Sequence, residues 1–313
     1  MANSSLVKRI MALSPHIEVL VRKIYWLNIS YLSKRVKKNA PDNKNHTPID
    51  YSKISNFLIE HGVNKGGVLL VHSSFSPLKG RGKTANQVVD FLLEIVGVEG
   101  TLAMPATPKY KNSKSVTNYL DPHDVDTIYH YDVKKSSVKT GVLPLMLHKR
   151  KSSLRSRHPI NTMVAEGPLA SVLMKDNLSG KSPLACGKNS SWNNCLKNDA
   201  YIVGLGTDLT HSLTAIHIAE DVLDDSWPIR DWYIEKTFRI TDHNFDETRT
   251  LRERAPKWGA LHFAERRLCK DLIDAGILKT TYIDGILVEI VNSTKLINFL
   301  NSRNKKGYPY FWV

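Results

Sequence analysis

A histidine and a glutamate three positions apart, His217 and Glu220, follow an apolar run and a glycine-marked turn. Positions i and i+3 share one face of a helix, so the imidazole and the carboxylate would be neighbours, with Thr214 one turn earlier. If they lie in the first turns of a helix, its dipole would lower the pKa of the imidazole and favour the neutral form. A neutral imidazole oriented by a carboxylate can act as a general base. The alternative is an ordinary surface pair, which the same spacing also produces.

A second polar group follows the first apolar run, "GGVLLV". His72, Ser73 and Ser74 come at the end of this predicted strand, and a basic, glycine-containing turn at residues 79–83 leads into a helix. Hydroxyl groups, backbone amides and a helix N-terminus together suit phosphate oxygens. The spacing is neither that of a Walker loop nor that of a dinucleotide fingerprint. A solvated basic turn is therefore the alternative.

The segment "LRSRHPINT", residues 154–162, contains a third group of polar residues. Proline disfavours the helical region for the residue before it, so His158 is expected in an extended backbone. Arg155, Arg157 and His158 could line a pocket for an anion. Alternatively, the arginines cap a helix end and His158 packs inside a turn.

The elements that must position these residues alternate from residue 51 onward, which favours an α/β fold with a sheet covered by helices. A helix over "TANQVVDFLLEIVG" is predicted to be capped by Thr84 and ended by Gly97. The other predicted helices are "YSKISNFLIEHG", "GVLPLMLHKR", "TAIHIAEDVL" and "AERRLCKDLIDAG", and the predicted strands are "GGVLLVHSS", "GTLAMPA", "AYIVGLG" and one or two within "TTYIDGILVEIVN".

The first 45 residues differ from the rest in charge. The chain carries a net charge of +14, and residues 1–45 hold nine lysines or arginines but two acidic residues. Residues 6–38 place apolar and basic positions at helical spacing, and residues 40–50 resemble a linker. We therefore expect a basic amphipathic extension and linker over residues 1–45 and a main domain over residues 46–313. The extension is either a helical pair packed on the protein or an element lying on an anionic membrane.

The remaining composition limits the function. The three cysteines do not have metal-ligand spacing, and the sequence shows neither a signal peptide nor an apolar run of membrane length. We therefore expect a cytoplasmic protein. If the N-terminal extension binds lipid, the protein would lie on the inner face of the membrane. HxxE supplies two metal ligands without an evident third, so no metal is expected. The basic charge admits nucleic acid, yet no nucleic-acid-binding motif is present, and we expect no such partner.

Taken in order, these motifs resemble the aminoglycoside 3-N-acetyltransferase family. The resemblance extends over roughly residues 50–313 and rests on "LLVHSSFSPL", "GVEGTLAMPA", "TGVLP" followed by "RSRHP", "GKSPLACG", "IVGLGTD" and "TAIHIAE". It implies a layered α/β fold around a mixed β-sheet, distinct from the GNAT fold, and acetyl-CoA or another acyl-CoA as co-substrate. It also implies that His217, Glu220 and Thr214 form the catalytic motif, and that His72, Ser73, Ser74, Arg155 and His158 fall at the CoA pocket. Cys186, near one of the motifs, is interpreted as structural.

The acceptor is less well determined by the sequence. A polycationic aminoglycoside would suit an acidic cleft, whereas this chain is basic. We therefore expect an amino sugar linked to a nucleotide or a lipid pyrophosphate, acetylated during synthesis of a surface polysaccharide. The alternative is an aminoglycoside acetylated in antibiotic resistance, with acidic clusters at residues 120–126 and 219–225 available to bind it. A non-catalytic scaffold is a third interpretation, which retention of the three catalytic-motif residues argues against. The sequence does not indicate an oligomeric state.

Overall fold

A computed structural model describes residues 10–28, 47–110, 126–306 and 310–311. Its strands are β1 (Val68–Ser73), β2 (Thr101–Pro105), β3 (Ile128–Asp132), β4 (Leu154–Arg155), β5 (Met163–Glu166), β6 (Tyr201–Leu205), β7 (Tyr233–Asp242), β8 (Phe245–Arg254), β9 (Leu278–Ile283) and β10 (Ile286–Asn292). Its α-helices are α1 (Pro15–Leu27), α2 (Tyr51–Glu60), α3 (Ala85–Val96), α4 (Val142–His148), α5 (Ala170–Met174), α6 (Ser191–Lys197), α7 (Ile218–Asp221), α8 (Glu265–Asp274) and α9 (Ser293–Asn304).

The central sheet has seven strands in the order β4-β5-β2-β1-β6-β10-β9. Strands β2, β1 and β6 are parallel, whereas the strands outside them pair antiparallel, so the sheet is mixed. In the register of β1 and β6, Ser73 lies opposite Leu205. The carboxyl ends of these two parallel strands therefore meet at one edge of the sheet, where open α/β sheets commonly bind ligands.

Both faces of this sheet are covered. Val68 and Leu70 of β1 belong to one buried cluster, together with side chains of α8 and α9. Leu69 and Val71 point the other way, into a cluster with side chains of α2, α3 and α4. Because successive residues of a strand face opposite sides, a doubly covered strand must be apolar throughout. This explains why the sequence predicts β1, β2 and β6 correctly.

Helix α3 shows how local sequence sets the element boundaries. The Thr84 hydroxyl accepts a hydrogen bond from the backbone N–H of Gln87, and the Gln87 side chain accepts one from the backbone N–H of Thr84. This reciprocal capping box satisfies N–H groups that the first turn leaves unpaired. Gly97, at φ +69°, ends the helix. Both predicted ends are confirmed.

A second, three-stranded sheet in the order β3-β7-β8 was not predicted. Strands β7 and β8 form a long antiparallel hairpin, and β3 pairs parallel to β7. Phe238, Ile240 and Leu251 are its buried apolar residues in the hairpin. Charged and polar side chains occupy most of the other positions, which hides the two-residue repeat of the strands.

Helix α1 packs against the rest of the protein. The side chain of Glu18 is fully buried and accepts hydrogen bonds from the backbone N–H groups of Arg266 and Arg267, each at 3.0 Å. The proposed boundary between residues 45 and 46, most of the predicted linker, and the remainder of the 6–38 segment lie outside the described residues. Within the part of the chain that the structure describes, no helix is long and apolar enough to cross a membrane.

Candidate active site

The turn after β6 carries the histidine–glutamate motif. Gly206 has φ +69°, and a β-carbon there would approach the Ser74 carbonyl oxygen to 2.6 Å, so this position requires glycine. The predicted helix over residues 214–223 is replaced by a 3₁₀ turn, Thr214–His217, followed by the four-residue helix α7. The β-branched residues Thr214, Ile216 and Ile218 lower the preference for a longer α-helix.

His217 and Glu220 form the expected pair. The Nδ1 atom of His217 lies 2.9 Å from Oε2 of Glu220, and the side chains are 15% and 4% exposed. In this arrangement Nδ1–H donates to the carboxylate, which leaves Nε2 of the neutral ring able to accept a proton. Residues i and i+3 eclipse in a 3₁₀ turn, so Thr214 lies on the side of His217. Both residues line the same cavity.

The pKa of His217 is lowered from its ordinary value, although not for the predicted reason. Burial is the main cause, and the positive charge of Arg254 is the second, while Glu220 acts in the opposite direction. His217 ends a 3₁₀ turn and is not in the first turn of a long helix, so the helix dipole is a poor explanation. The result is nevertheless the neutral imidazole that a general base requires.

The cavity beside His217 has a volume of about 460 Å³ and is lined by residues from distant parts of the chain. Its acidic residues are Asp221, Glu253 and Glu265. Its basic residues are Arg22, His211, Arg252 and Arg254. The cavity therefore presents carboxylates although the chain as a whole is basic.

Asp221, the residue after Glu220, is buried and lines the same cavity as His217. Its carboxylate accepts hydrogen bonds from the backbone N–H of Cys186, at 2.9 Å, and from the hydroxyl of Tyr233, at 3.0 Å. Burial, together with the adjacent charge of Glu220, raises the pKa of Asp221 to about 7. Its protonation therefore changes near neutral pH.

Arg254 lies on the other side of the cavity. Its Nη1 atom is buried and has no hydrogen-bond partner among the described residues. A β-carbon on Gly259 would lie 3.0 Å from Nη2 of Arg254, so glycine permits the close approach of the guanidinium group. Its charge lies close enough to His217 to influence the pKa of the imidazole.

The residues between β6 and the catalytic turn pair elsewhere. Nδ1 of His211 contacts the carboxylate of Glu265, and Nη2 of Arg266 lies 2.6 Å from Nε2 of His211. Asp208 precedes a 3₁₀ turn, which its side chain does not cap. Among the described residues, Glu265 is therefore the carboxylate that contacts His211.

Of the strand-end group, His72 is buried, whereas Ser73 and Ser74 are partly exposed. Neither Nε2 of His72 nor the hydroxyl oxygen of Ser73 has a hydrogen-bond partner among the described residues. The ring centroid of His72 lies 6.0 Å from that of Trp192. Burial lowers the pKa of His72 to about 4, so the ring is neutral. The backbone N–H of Ser74 donates to the carbonyl of Leu205, which ties the ends of β1 and β6 together.

Arg155 is occupied by the protein itself. It is buried, and its guanidinium group donates to the carbonyl oxygens of Ser136 and Ala106, each at 2.6 Å, and to that of Val133, at 3.3 Å. These bonds hold the charge inside the fold, away from a phosphate. Arg157 is half-exposed and pairs with Asp242 at 2.9 Å. The predicted anion pocket lined by these two arginines is therefore not formed.

His158 follows the same pattern. It is buried, with Nδ1 accepting from the backbone N–H of Ile160 at 3.3 Å and Nε2–H donating to the carbonyl of Pro183 at 3.1 Å. Both ring nitrogens are used in holding the turn against the loop that contains Pro183. His158 does not line the cavity beside His217, nor the second cavity, which is lined by Pro183 and its neighbours.

The basic turn at residues 79–83 is also partly structural. Arg81 is buried, and its guanidinium donates to the carbonyl oxygens of Thr47 and Asp284, each at 2.8 Å. The ammonium group of Lys83 lies over the Tyr51 ring, at 5.3 Å from its centroid. Lys79 is exposed. The predicted phosphate-binding turn thus retains one exposed cation.

Cysteine chemistry does not enter the site. Cys186 is buried, and burial is the first cause that raises its pKa far above the ordinary thiol value. The prediction that Cys186 is structural is confirmed. No group of three or more potential metal ligands occurs among the residues that the structure describes.

Sequence reasoning missed several residues of the cavity. Arg22 and Trp26 come from α1, whereas Tyr233 and Arg254 come from the unpredicted hairpin. Tertiary packing brings these residues to the cavity beside His217, and no local spacing in the sequence predicts their positions. Of the acidic clusters, residues 219–225 supply Asp221 to the cavity, while Asp224 and Asp225 pair with Arg252. The cluster at residues 120–126 lies outside the described residues apart from Asp126.

Comparison with solved structures identifies proteins of the same fold. AAC-IIIb, solved as a binary complex with CoASH, matches with a TM-score of 0.65 at 21% identity, over 82% of this chain and 96% of that chain. The aminoglycoside acetyltransferase AAC(3)-Xa matches with a TM-score of 0.68 at 19% identity, over 84% and 94% of the two chains. The mixed α/β fold is therefore confirmed.

Comparison with curated proteins gives shorter alignments. Aminoglycoside N(3)-acetyltransferase IX of Micromonospora chalcea is 29% identical over 143 residues, which cover 42% of this chain and 50% of that protein. Aminoglycoside N(3)-acetyltransferase III of Acinetobacter baumannii is 32% identical over 170 residues, covering 52% and 57%. The chain thus spans about half the length of the curated relatives it matches.

The family model described as aminoglycoside 3-N-acetyltransferase matches residues 70–303. This span contains the strand-end group, the HP segment and the histidine–glutamate pair. The chain belongs to the aminoglycoside 3-N-acetyltransferase family.

Proposed function

We propose that this protein transfers the acetyl group of acetyl-CoA to an amino group of an amino sugar. The observation that carries the proposal is the buried His217–Glu220 pair, whose imidazole is neutral and lines a cavity. A neutral amine attacks the thioester carbonyl, and a new C–N bond forms. His217 Nε2 accepts the proton of the amine, the C–S bond breaks, and CoA leaves as the thiolate, which takes up a proton. Glu220 stabilises the imidazolium formed in this step.

The oxyanion that forms during attack needs hydrogen-bond donors. Thr214 lies on the side of His217 and lines the cavity, so its hydroxyl is our candidate donor. In the structure this hydroxyl donates a long hydrogen bond, 3.3 Å, to the Ser212 carbonyl oxygen. When the oxyanion forms, the hydroxyl can donate to the oxyanion instead. These positions support our proposal that His217, Glu220 and Thr214 are the catalytic residues.

For the donor site, we propose that acetyl-CoA binds near the carboxyl end of β1. The unpaired buried atoms of His72 and Ser73, with Ser74 beside them, support this position, since buried polar groups are normally hydrogen-bonded. A match to AAC-IIIb with CoASH agrees with CoA as the co-substrate. Arg155 and His158 would shape this region through their backbone contacts, without touching phosphate.

For the acceptor, the aminoglycoside alternative is better supported than polysaccharide assembly. The relatives are named for aminoglycosides, and one structural match, AAC-VIa, was solved with bound sisomicin (TM-score 0.66, 18% identity, 82% of this chain and 99% of that chain). The lining of the cavity combines Asp221, Glu253 and Glu265 with Arg22, Arg252 and Arg254, so its charges are mixed and it is not basic like the chain as a whole. The net charge of the chain, from which we expected an anionic acceptor, does not determine the charge of the cavity. No observation supports a nucleotide- or lipid-linked sugar.

The test is CoA release, followed by reaction of the new thiol with a chromogenic disulfide. Sisomicin, gentamicin and UDP-glucosamine are compared as acceptors at equal concentration, each with acetyl-CoA and without it. We expect release with the two aminoglycosides, little with the nucleotide sugar, and a product 42 Da heavier by mass spectrometry. Faster release with UDP-glucosamine would restore the polysaccharide interpretation. No release with any amine would refute the acetyltransferase proposal.

We also propose that α1 contributes to peripheral contact with an anionic membrane from the cytoplasmic side. Leu20 and Ile24 are one turn apart and more than half exposed, and Lys23 lies between them. Flotation with vesicles of phosphatidylglycerol and phosphatidylcholine tests this. Salt-sensitive binding that is lost in Leu20→Asp/Ile24→Asp is expected. Equal flotation of the variant, or none of the wild type, contradicts the proposal.

A further inference from the structure

One wall of the catalytic cavity comes from outside the family-matched residues. Arg22 and Trp26 of α1 line the same cavity as Thr214 and His217. The family match begins at residue 70, so this wall is an addition to the part of the chain that the family describes. A segment that reaches the reaction cavity from outside the shared domain can alter which acceptor fits there.

The helix is held firmly enough to serve as a wall. The fully buried carboxylate of Glu18 accepts the backbone N–H groups of Arg266 and Arg267 in the first turn of α8. A carboxylate at a helix N-terminus is favourable because it pairs with N–H groups that lack partners within the helix. The guanidinium of Arg267 adds a hydrogen bond to the Leu13 carbonyl, at 2.8 Å.

Arg22 joins the helix to the cavity from a second direction. Its Nη1 donates to the Gly259 carbonyl at 3.1 Å, and its guanidinium contacts the carboxylates of Glu18 and Glu265. Gly259 and Glu265 also line the cavity. The charge of Arg22 is therefore used in fixing the wall. Trp26 is the aromatic side chain that α1 brings to the lining of the cavity.

We propose that α1 is an acceptor-specificity element and that Trp26 contacts the sugar ring of the acceptor. The inference rests on the proposed acetyltransfer to an amino sugar. A sugar ring has apolar C–H faces and polar edges, and an aromatic side chain in a ligand cavity packs against the apolar part. Trp26 lies partly exposed at the cavity, beside the ion pair of Arg22 and Glu265 that holds this wall in place.

This assignment gives the two sides of α1 different roles. Trp26 and Arg22 line the cavity, while Leu20 and Ile24 are exposed to solvent. Removing the first 45 residues would therefore affect acetyl transfer as well as any membrane contact. Point variants separate the two effects.

The experiment compares Trp26→Ala and Trp26→Phe with Leu13→Ala, a variant at an exposed position just before the helix. Kinetics with sisomicin give the KM of the acceptor and of acetyl-CoA separately, and calorimetry gives acceptor affinity without turnover. For Trp26→Ala we expect an acceptor KM and Kd about tenfold higher, corresponding to roughly 1.4 kcal/mol, with the KM of acetyl-CoA and kcat within twofold. Trp26→Phe should recover part of the affinity, and Leu13→Ala should match the wild type.

The outcomes separate this inference from the proposed function. If the wild type acetylates sisomicin and Trp26→Ala does so with unchanged acceptor KM and Kd, the wall assignment is wrong. If the wild type binds sisomicin without acetylating it, and Trp26→Ala weakens that binding, the acetyltransfer proposal fails while the wall assignment stands. Equal rises in the KM of acceptor and acetyl-CoA would indicate a general structural defect and overturn the inference.

Discussion

Two histidines of low exposure, His158 and His217, differ in the partners of their ring nitrogens. Both rings have pKa values lowered chiefly by burial. Main-chain groups use both nitrogens of His158, with Ile160 as donor and Pro183 as acceptor. His217 uses Nδ1 to bind Glu220, and its ring lines a cavity. A lowered pKa therefore does not separate the roles that we propose for these two histidines, whereas the partners of their ring nitrogens do.

The same distinction applies to the arginines. The guanidinium of Arg155 is held by three carbonyl oxygens, while Nη1 of Arg254 has no partner among the described residues and Arg254 lines the cavity. Arg155 therefore stabilises the packing of loops, whereas Arg254 affects the electrostatics of the reaction site. The predictions below test whether each of these residues acts in the reaction or stabilises the fold.

The largest effect is expected for His217→Ala. Loss of the general base should lower kcat by about 10²–10⁴-fold. The acid limb of the pH profile of kcat/KM should disappear, and the affinity for CoA should remain nearly unchanged because the imidazole faces the amine. Thiol release measures the rates, and His243→Ala, at an exposed position in the β7–β8 turn, is the control.

A second variant separates the loss of the base from damage to the site. His217→Gln can still donate to Glu220 but cannot accept the proton of the amine, so its kcat should fall as far as that of His217→Ala. Glu220→Gln should cost less, because the imidazole remains in place. A His217→Gln enzyme with nearly normal kcat would transfer the role of base to another group.

The next effect concerns stability and is expected for His158→Ala. This change leaves the Ile160 N–H and the Pro183 carbonyl without their side-chain partner inside the protein. It should lower the free energy of unfolding by about 2–3 kcal/mol, measured by urea denaturation. The folded variant should keep kcat within a few-fold of the wild type. Unchanged stability with a hundredfold loss of kcat would instead assign His158 to the reaction.

The comparison of these residues also shows what the sequence can predict. The His217–Glu220 contact depends on residues three positions apart, so spacing alone was sufficient. Strands β1, β2 and β6 of the central sheet were recognisable because both of their faces are buried. The short strands β4 and β5 of the same sheet were not predicted. Arg254 and Trp26 reach the cavity through tertiary packing, and the hairpin that carries Arg254 has few buried residues. Their positions could not be predicted from the local sequence.

A smaller effect is expected when Arg254 is changed to Gln. The reaction requires neutral His217, so activity falls as the pH decreases through the pKa of the imidazole. Burial and the charge of Arg254 hold this pKa below 6.5, in that order of importance. Removing the charge raises the pKa and should move the acid limb of kcat/KM to higher pH.

Arg239→Gln is the matched control for this variant. Arg239 also lies in the three-stranded sheet but is half-exposed and pairs with Asp246, at 2.8 Å. Its replacement should leave the pH profile unchanged. An acid limb in Arg254→Gln that coincides with the wild-type limb would show that Arg254 does not act on His217.

The smallest effect concerns Asp221, the buried residue after Glu220. Its pKa rises to about 7 in the folded protein, first because of burial and then because of Glu220. Between the unfolded pKa, near 3.8, and this value, the folded state binds more protons than the unfolded state. Stability therefore decreases as the pH rises through this window and levels off above it.

The variant Asp221→Asn tests this because its side chain cannot ionise. Its amide oxygen can still accept the Cys186 N–H, and its NH₂ group can donate to the Tyr233 hydroxyl. Relative to wild type, the variant should thus gain stability from pH 5 to about pH 7 and then level off, measured as free energy of unfolding in urea. Asp225→Asn, whose side chain is 89% exposed, should follow the wild-type curve. Parallel curves for Asp221→Asn and wild type would show that Asp221 keeps an ordinary pKa in the folded protein.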